Sequence, residues 1–174
     1  TDQVIPRLQK EGIFPEIDCY LQLRTAGIGE SALAEKVEPI LAGIDGLVVG
    51  YCAHAGMVDL RLSSHDANTL SEEKLNEIGE VCRKELGEDF VCFGDRTLAG
   101  VIFGDLRALD KTLAVAESCT GGLLSSQFTE IPGISKVFHG GAVCYHNDAK
   151  VQVLDVPESM LDQHGAVSEE VAIA

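Results

Sequence analysis

Ser118 stands in the heptapeptide Ala116-Glu-Ser-Cys-Thr-Gly-Gly122. An apolar run at residues 112–115 precedes it, and a helix-like stretch at residues 123–128 follows. A serine at such a strand-to-helix turn is a candidate nucleophile. The two glycines allow a sharp turn and close approach of the backbone to a ligand. Amides at the start of the following helix are expected to face that ligand, favoured by the helix dipole. A hydroxyl beside anion-favouring amides is what acyl transfer to water requires. The plainer alternative is that Ser118 caps the helix, a common role for serine.

A second cluster, Tyr145-His-Asn-Asp-Ala-Lys150, follows another strand-like run. In an open α/β sheet, ligands gather at the carboxyl ends of strands. A lysine after one strand can therefore meet a serine after another, and a lysine withdrawn from water can act as a general base. Alone, Lys150 would read as a solvated surface charge; Ser118 gives it a functional reading. Cys119 has no paired histidine in its motif and reads as a packing residue.

The elements that must position these residues can be traced along the chain. Residues 17–24 alternate, with Ile17, Cys19, Leu21 and Leu23 on one face and Asp18, Tyr20 and Gln22 on the other, which predicts a half-buried strand. Gly27-Ile-Gly-Glu-Ser31 breaks it, and Leu33, Val37, Ile40 and Leu41 recur at helical spacing. Residues 47–53 and Val58, Leu60 and Leu62 mark two strands joined by a turn at His54-Ala-Gly56. Thr69 with Glu72 predicts a capping box before a helix with Leu75, Ile78, Cys82 and Leu86 inward. Residues 89–93 predict a fourth strand. Strand, helix, strand, strand, helix, strand is a split βαβ pattern with helices on one face.

A separate α/β pattern begins near Arg96. Leu98, Val101, Ile102, Leu106 and Leu109 predict a helix; residues 112–116 and 141–145 predict strands; residues 147–153 predict a helix start. The domains are placed at 1–95 and 96–174. Both ends look cut, so the chain is expected to be part of a longer protein.

Composition excludes several functions. The chain has 174 residues and a formal charge of −15, which opposes phosphate-backbone binding, since such sites need basic surface. No apolar stretch approaches the ~20 residues of a membrane span. The six cysteines lack paired spacing, so neither disulfides nor a zinc site is expected, and reduced thiols in a cytoplasmic protein are the simplest reading. Cys52 with His54 and His65 is a weak candidate metal set, because imidazoles in turns are more often exposed or hydrogen-bonded.

Taken together, Ala-Glu-Ser-Cys-Thr-Gly-Gly, Tyr-x-Asn-Asp-Ala-Lys and His164-Gly-Ala-Val-Ser168 resemble the C-terminal domain of the competence/damage-inducible CinA family. Arg24-Thr-Ala-Gly-Ile-Gly-Glu-Ser31 and Val58-Asp-Leu-Arg-Leu-Ser63 resemble its middle, KH-like domain. The resemblance implies an α/β protein: a KH-like or ferredoxin-like βαββαβ domain, of α+β type, then the N-terminal part of an α/β amidase domain. It implies a Ser/Lys amidohydrolase converting nicotinamide mononucleotide to nicotinate mononucleotide and ammonia, with no metal or other cofactor.

Carried onto this sequence, Ser118 is the nucleophile and Lys150 its base. Tyr145 and Asn147 shape the site or steady Lys150. Glu117, Thr120, Gly121 and Gly122 belong to the substrate-binding turn, with amides of the last three as oxyanion or phosphate donors. His146 and Asp148 stand where relatives often have serine and glutamate. The resemblance implies a family that continues past residue 174 with a glycine-rich segment and that carries an N-terminal domain which these residues do not resemble. These residues alone are therefore expected to be inactive, with Ser118 and Lys150 out of register. A homodimer is expected, with a small nucleotide as substrate and no membrane or nucleic-acid partner. The rival reading is a non-catalytic KH-like module serving domain assembly or interaction.

Overall fold

The computed structural model describes residues 7, 8, 10, 11, 19–66 and 68–174. They fall into two units, the first ending at Arg96 and the second spanning Thr97–Ala174.

In the first unit, period-2 patterning produces β1 (Cys19–Ala26), β2 (Val48–His54), β3 (Met57–Ser64) and the short β4 (Phe90–Phe93). Two helices intervene, α1 (Glu30–Leu41) and α2 (Glu72–Leu86). The sheet order is β2-β3-β1-β4, antiparallel throughout. Each helical crossover therefore skips one strand, which is the split βαβ arrangement. Alternation sends Leu23, Leu60 and Leu62 into the core with Leu33 and Val37 of α1 and Leu75 and Cys82 of α2. Burying each large aliphatic side chain contributes about 1.5–3 kcal/mol. Burial pushes the Cys82 thiol up to about 11, so it behaves as a small hydrophobe.

The opposite parity on β1 and β3 carries polar groups. Arg24 faces Asp59 across the strands, and its guanidinium donates from Nε to Oδ1 (2.8 Å) and from Nη2 to Oδ2 (2.9 Å). Its Nη1 donates to the carbonyls of Asp95 and Arg96, fixing the end of this unit. His54 Nε2 lies 3.1 Å from Asp59 Oδ2. His54 thus joins an ion pair, and among the described residues no group of three His, Cys, Asp or Glu is arranged to hold a metal.

Several boundaries differ from the sequence reading. Ile17 and Asp18 lie outside the described residues. Ser71, not Thr69, caps α2: its Oγ accepts from Lys74 N (3.3 Å). Thr69 is unavailable because its hydroxyl donates to Asp66 Oδ2 (2.6 Å). Residues Gly87–Asp89 form a 3-10 turn, so β4 starts one residue later than expected.

The second unit runs α3 (Leu98–Ala108), β5 (Leu113–Glu117), α4 (Leu123–Thr129), β6 (Phe138–Val143), α5 (Asn147–Leu154), α6 (Glu158–His164) and α7 (Glu169–Ile173). Strands β5 and β6 pair in parallel. Ala99, Phe128, Ile134 and Val137 are buried around them, joined by Phe103 and Leu106. The inward face of α3 is therefore Ala99, Phe103 and Leu106. Leu98, Ile102 and Leu109, expected inward, are exposed. Strand β6 begins three residues before the expected 141, because Gly140 and Gly141 pair with Ala114 and Val115 despite their poor strand propensity. A second small cluster, Val156, Leu161 and Val171, ties α5 to α7. Among the described residues no helix is long and apolar enough to cross a membrane.

Candidate active site

Strands β5 and β6 end side by side. The ladder closes where Cys144 N donates to Glu117 O (2.7 Å), so the residues that follow, Ser118 and Tyr145, leave the sheet together. Ser118 opens a turn in which Gly121 N donates back to Ser118 O (3.0 Å). Gly121 and Gly122 have φ of +60° and +99°, a region that only glycine enters without strain. Helix α4 then begins at Leu123.

Lys150 lies one turn into α5. Side chains on a helix lean toward its N-terminus, and Lys150 leans back onto the chain that leaves β6. Its Nζ donates to Cys144 O (2.9 Å), to Tyr145 O (2.9 Å) and to Ser118 Oγ (3.3 Å). The residue is only 6% exposed. Two of its three polar directions are held by carbonyls and the third faces the serine. Ser118 and Lys150 meet within these residues, so the expected loss of register is not observed.

Helix α5 is capped by His146, whose Nδ1 accepts from Asp148 N (3.2 Å). Histidine here performs the capping that serine usually performs, which accounts for the departure at this position. Tyr145 contributes its carbonyl to Lys150, while the residue as a whole is 71% exposed. Tyr145 and Asn147 line a pocket of about 470 Å³ together with Asp148, Glu158 and Asp162.

The helix-start amides are arranged differently from the sequence reading. They do not wait for a substrate anion: the Glu117 carboxylate takes them. Oε2 accepts from Leu124 N (2.9 Å), and Oε1 from Ser125 N (2.9 Å) and Ser125 Oγ (2.5 Å). Leu123 N is held by Thr120 O (3.1 Å). The Ser125 hydroxyl, the two amides and the Thr120 side chain pull the Glu117 carboxyl down to about 2. A buried carboxylate needs such donors, and Thr120, Leu124 and Ser125 supply them. Of the expected amide donors, Gly121 is committed within the turn, which leaves those of Thr120 and Gly122, with Cys119 beside them.

Ser125 and the buried position of Glu117 were not foreseen. A signal existed: Glu117 is in phase with Leu113 and Val115, the inward face of β5, and a carboxylate there must find donors. The carbonyls that hold Lys150 left no trace in residue identity, since any residue supplies them.

Comparisons with known proteins bear on the family. The model of the CinA C-terminal domain matches residues 95–174, and that of the damage-inducible protein CinA KH domain matches residues 22–92. A CinA-like protein of Gemmatimonas aurantiaca is 40% identical over 153 residues, covering 87% of this chain and 36% of its own. A CinA-like protein of Crocosphaera subtropica is 42% identical over 176 residues, covering 99% of this chain and 42% of its own. The chain thus spans well under half of these relatives' length. The crystal structure of competence/damage inducible protein CihA from Agrobacterium tumefaciens aligns with 44% identity and a TM-score of 0.42, over 43% of this chain and 46% of its own. With a matching KH domain, a matching C-terminal domain and curated relatives along nearly its whole length, the chain belongs to the CinA family.

Proposed function

We propose that the second unit carries a Ser/Lys amidase centre that hydrolyses the carboxamide of nicotinamide mononucleotide. The observation that carries this reading is the placement of Lys150 Nζ 3.3 Å from Ser118 Oγ, with two carbonyls holding its other directions. Geometry is the first requirement of a general base.

In this reading Lys150 first releases a proton to solvent, leaving an amine whose two N–H bonds stay on the carbonyls of Cys144 and Tyr145 and whose lone pair faces Ser118. Ser118 Oγ then bonds to the carboxamide carbon as its proton passes to Lys150 Nζ. The carbonyl π bond opens to an oxyanion, for which the amides of Cys119, Thr120 and Gly122 are the uncommitted donors of the turn. Lys150 then gives the proton to the amide nitrogen, the C–N bond breaks and ammonia leaves. Water gives a proton to Lys150 as it attacks the acyl ester; Lys150 passes that proton to Ser118 Oγ as the C–O bond to Ser118 breaks, and nicotinate mononucleotide is released.

The rival nucleic-acid reading of the first unit gains nothing from its surface. Arg24 is consumed by Asp59, and Glu72, Glu73, Glu77 and Glu80 share the outer face of α2, the wrong sign for phosphates.

The test is ammonia release from nicotinamide mononucleotide by the full-length protein, by its Ser118→Ala variant and by residues 1–174. Loss of turnover in a folded Ser118→Ala protein supports the assignment; near-normal turnover rejects it.

A further inference from the structure

The Ser118–Lys150 contact is 3.3 Å, just beyond the usual 2.7–3.2 Å range for an N–H···O bond. At that separation a displacement of a few tenths of an ångström decides whether the proton can transfer. What fixes Ser118 is therefore a functional question. The fixing residue is its neighbour. The Glu117 main chain is tied to β6 through Cys144 N, and its carboxylate is tied to α4 through Leu124 N, Ser125 N and Ser125 Oγ. Glu117 is thus held on both sides immediately before the serine.

Strand β6 completes the arrangement. A Cβ added at Gly141 would overlap Ser125 Oγ and come within 3.0 Å of Val115 Cγ2. Only glycine there leaves room for the Ser125 hydroxyl to sit against Glu117. From these contacts we infer that Glu117, Ser125 and Gly141 form a positioning set that sets the reactivity of Ser118. The inference rests on the reading of Ser118 as nucleophile, but not on the identity of the amide. None of the three residues touches substrate in it. Glu117 acts by locating the turn, Ser125 by directing a donor at Glu117, and Gly141 by leaving that donor its space.

The set makes a prediction that simple helix stability does not. Glu117→Gln keeps the size but places an NH₂ group against an amide N–H, breaking one contact. The Ser118 turn then shifts, and the loss appears in kcat while KM holds. Misplacement on this scale costs about 100-fold in rate. Ser125→Ala removes one donor and leaves the amides of Leu124 and Ser125 and the Thr120 side chain, so its loss is smaller. Gly141→Ala acts chiefly by expelling the Ser125 hydroxyl; its other close approaches, 3.0 Å to Val115 Cγ2 and 3.2 Å to Ser125 Cβ, ask only for small shifts, so in a Ser125→Ala background it adds little.

The experiment compares full-length wild type with Glu117→Gln, Ser125→Ala, Gly141→Ala and the Ser125→Ala/Gly141→Ala double variant. Each is measured for kcat and KM on nicotinamide mononucleotide, for the rate of Ser118 labelling by a fluorophosphonate, and for melting temperature. The expected result is a fall of about 100-fold in kcat and labelling for Glu117→Gln with KM unchanged, and a double variant no slower than the slower single one. Wild-type labelling and kcat in a folded Glu117→Gln protein, or losses at 125 and 141 that multiply, overturn the inference. Should Glu117→Gln fail to fold, the comparison at 125 and 141 decides alone. Labelling of wild type without turnover rejects the proposed amide and leaves the labelling rates to judge the positioning set. Neither labelling nor turnover rejects both.

Discussion

Each unit buries charge, and the two do so in opposite ways. In the first, Arg24 and Asp59 are buried against each other: two parallel hydrogen bonds join them, and Asp59 is 1% exposed. In the second, Glu117 and Lys150 are equally withdrawn, yet among the described residues neither has an ion-pair partner within hydrogen-bonding range. Glu117 is surrounded by amides and hydroxyls, Lys150 by two carbonyls and a hydroxyl. A matched pair of opposite charges is mutually satisfied and has no proton to exchange with a substrate. A lysine held by neutral dipoles, with one direction left to a serine, can give up or take a proton when the serine reacts. The difference separates a charge that holds a fold together from one available for chemistry.

The sharpest way to break this comparison is to remove the cation from each unit. Lys150→Met should lower amide turnover by roughly 10²–10⁴-fold, the usual contribution of a positioned acid–base group, while the protein still unfolds cooperatively. Retained turnover would take Lys150 out of the mechanism. Arg24→Met should act through stability instead. Breaking a buried pair from one side leaves an uncompensated charge and costs about 3–5 kcal/mol, read from denaturant unfolding. An Arg24→Met protein as stable as wild type would show that the pair is not a structural anchor.

Acid sharpens the contrast further. The Glu117 carboxyl is lowered from its ordinary 4.5 to about 2, first by the Ser125 hydroxyl and then by the backbone amides. Because the folded value is the lower one, this stabilisation is whole above the unfolded value and is lost as the pH falls from about 4.5 towards 2. Asp59 is lowered too, first by its hydrogen bonds from Arg24, and the same sign applies. Ser125→Ala should therefore move the acid transition of the second unit to higher pH in a circular-dichroism titration and leave the Asp59 contribution untouched. An unmoved transition would mean that the hydroxyl contributes little to holding the carboxylate.

The smallest expected effect concerns the ordinary fabric of the first unit. Ser71→Ala removes the α2 cap and should cost about 1 kcal/mol, whereas Thr69→Val should leave the cap intact because Thr69 bonds Asp66. Equal effects at the two positions on thermal unfolding would restore the capping box anchored at Thr69.

Much of this layout was legible before any coordinates. Period-2 runs with β-branched and aliphatic residues announced the strands around Leu23, Leu60 and Leu62, and 3.6-period stripes announced α1 and α2, because burial of one face leaves a repeating mark in the chain. Ser118 and Lys150 were legible as chemistry, since few residue types can attack a carbonyl or take its proton. Boundaries were less so: the cap at Ser71 and the inward face of α3 depend on which of several competing side chains wins a given donor or cavity.

Tertiary structure alone decided the rest. No spacing rule says that the carbonyls of Cys144 and Tyr145 receive Lys150, because a backbone carbonyl is common to all residues and only folding selects which ones converge. Nor could the chain announce that Glu117 would occupy the amides expected to meet the substrate. That outcome follows from the parity of β5, which buries the carboxylate, and from the closeness of β6 at Gly141, which leaves the Ser125 hydroxyl room to reach it. The sequence by itself determined which groups could react and which faces had to be buried. The energetic demand that every buried charge find partners, met only when distant segments pack, decided which of those groups were left free to act.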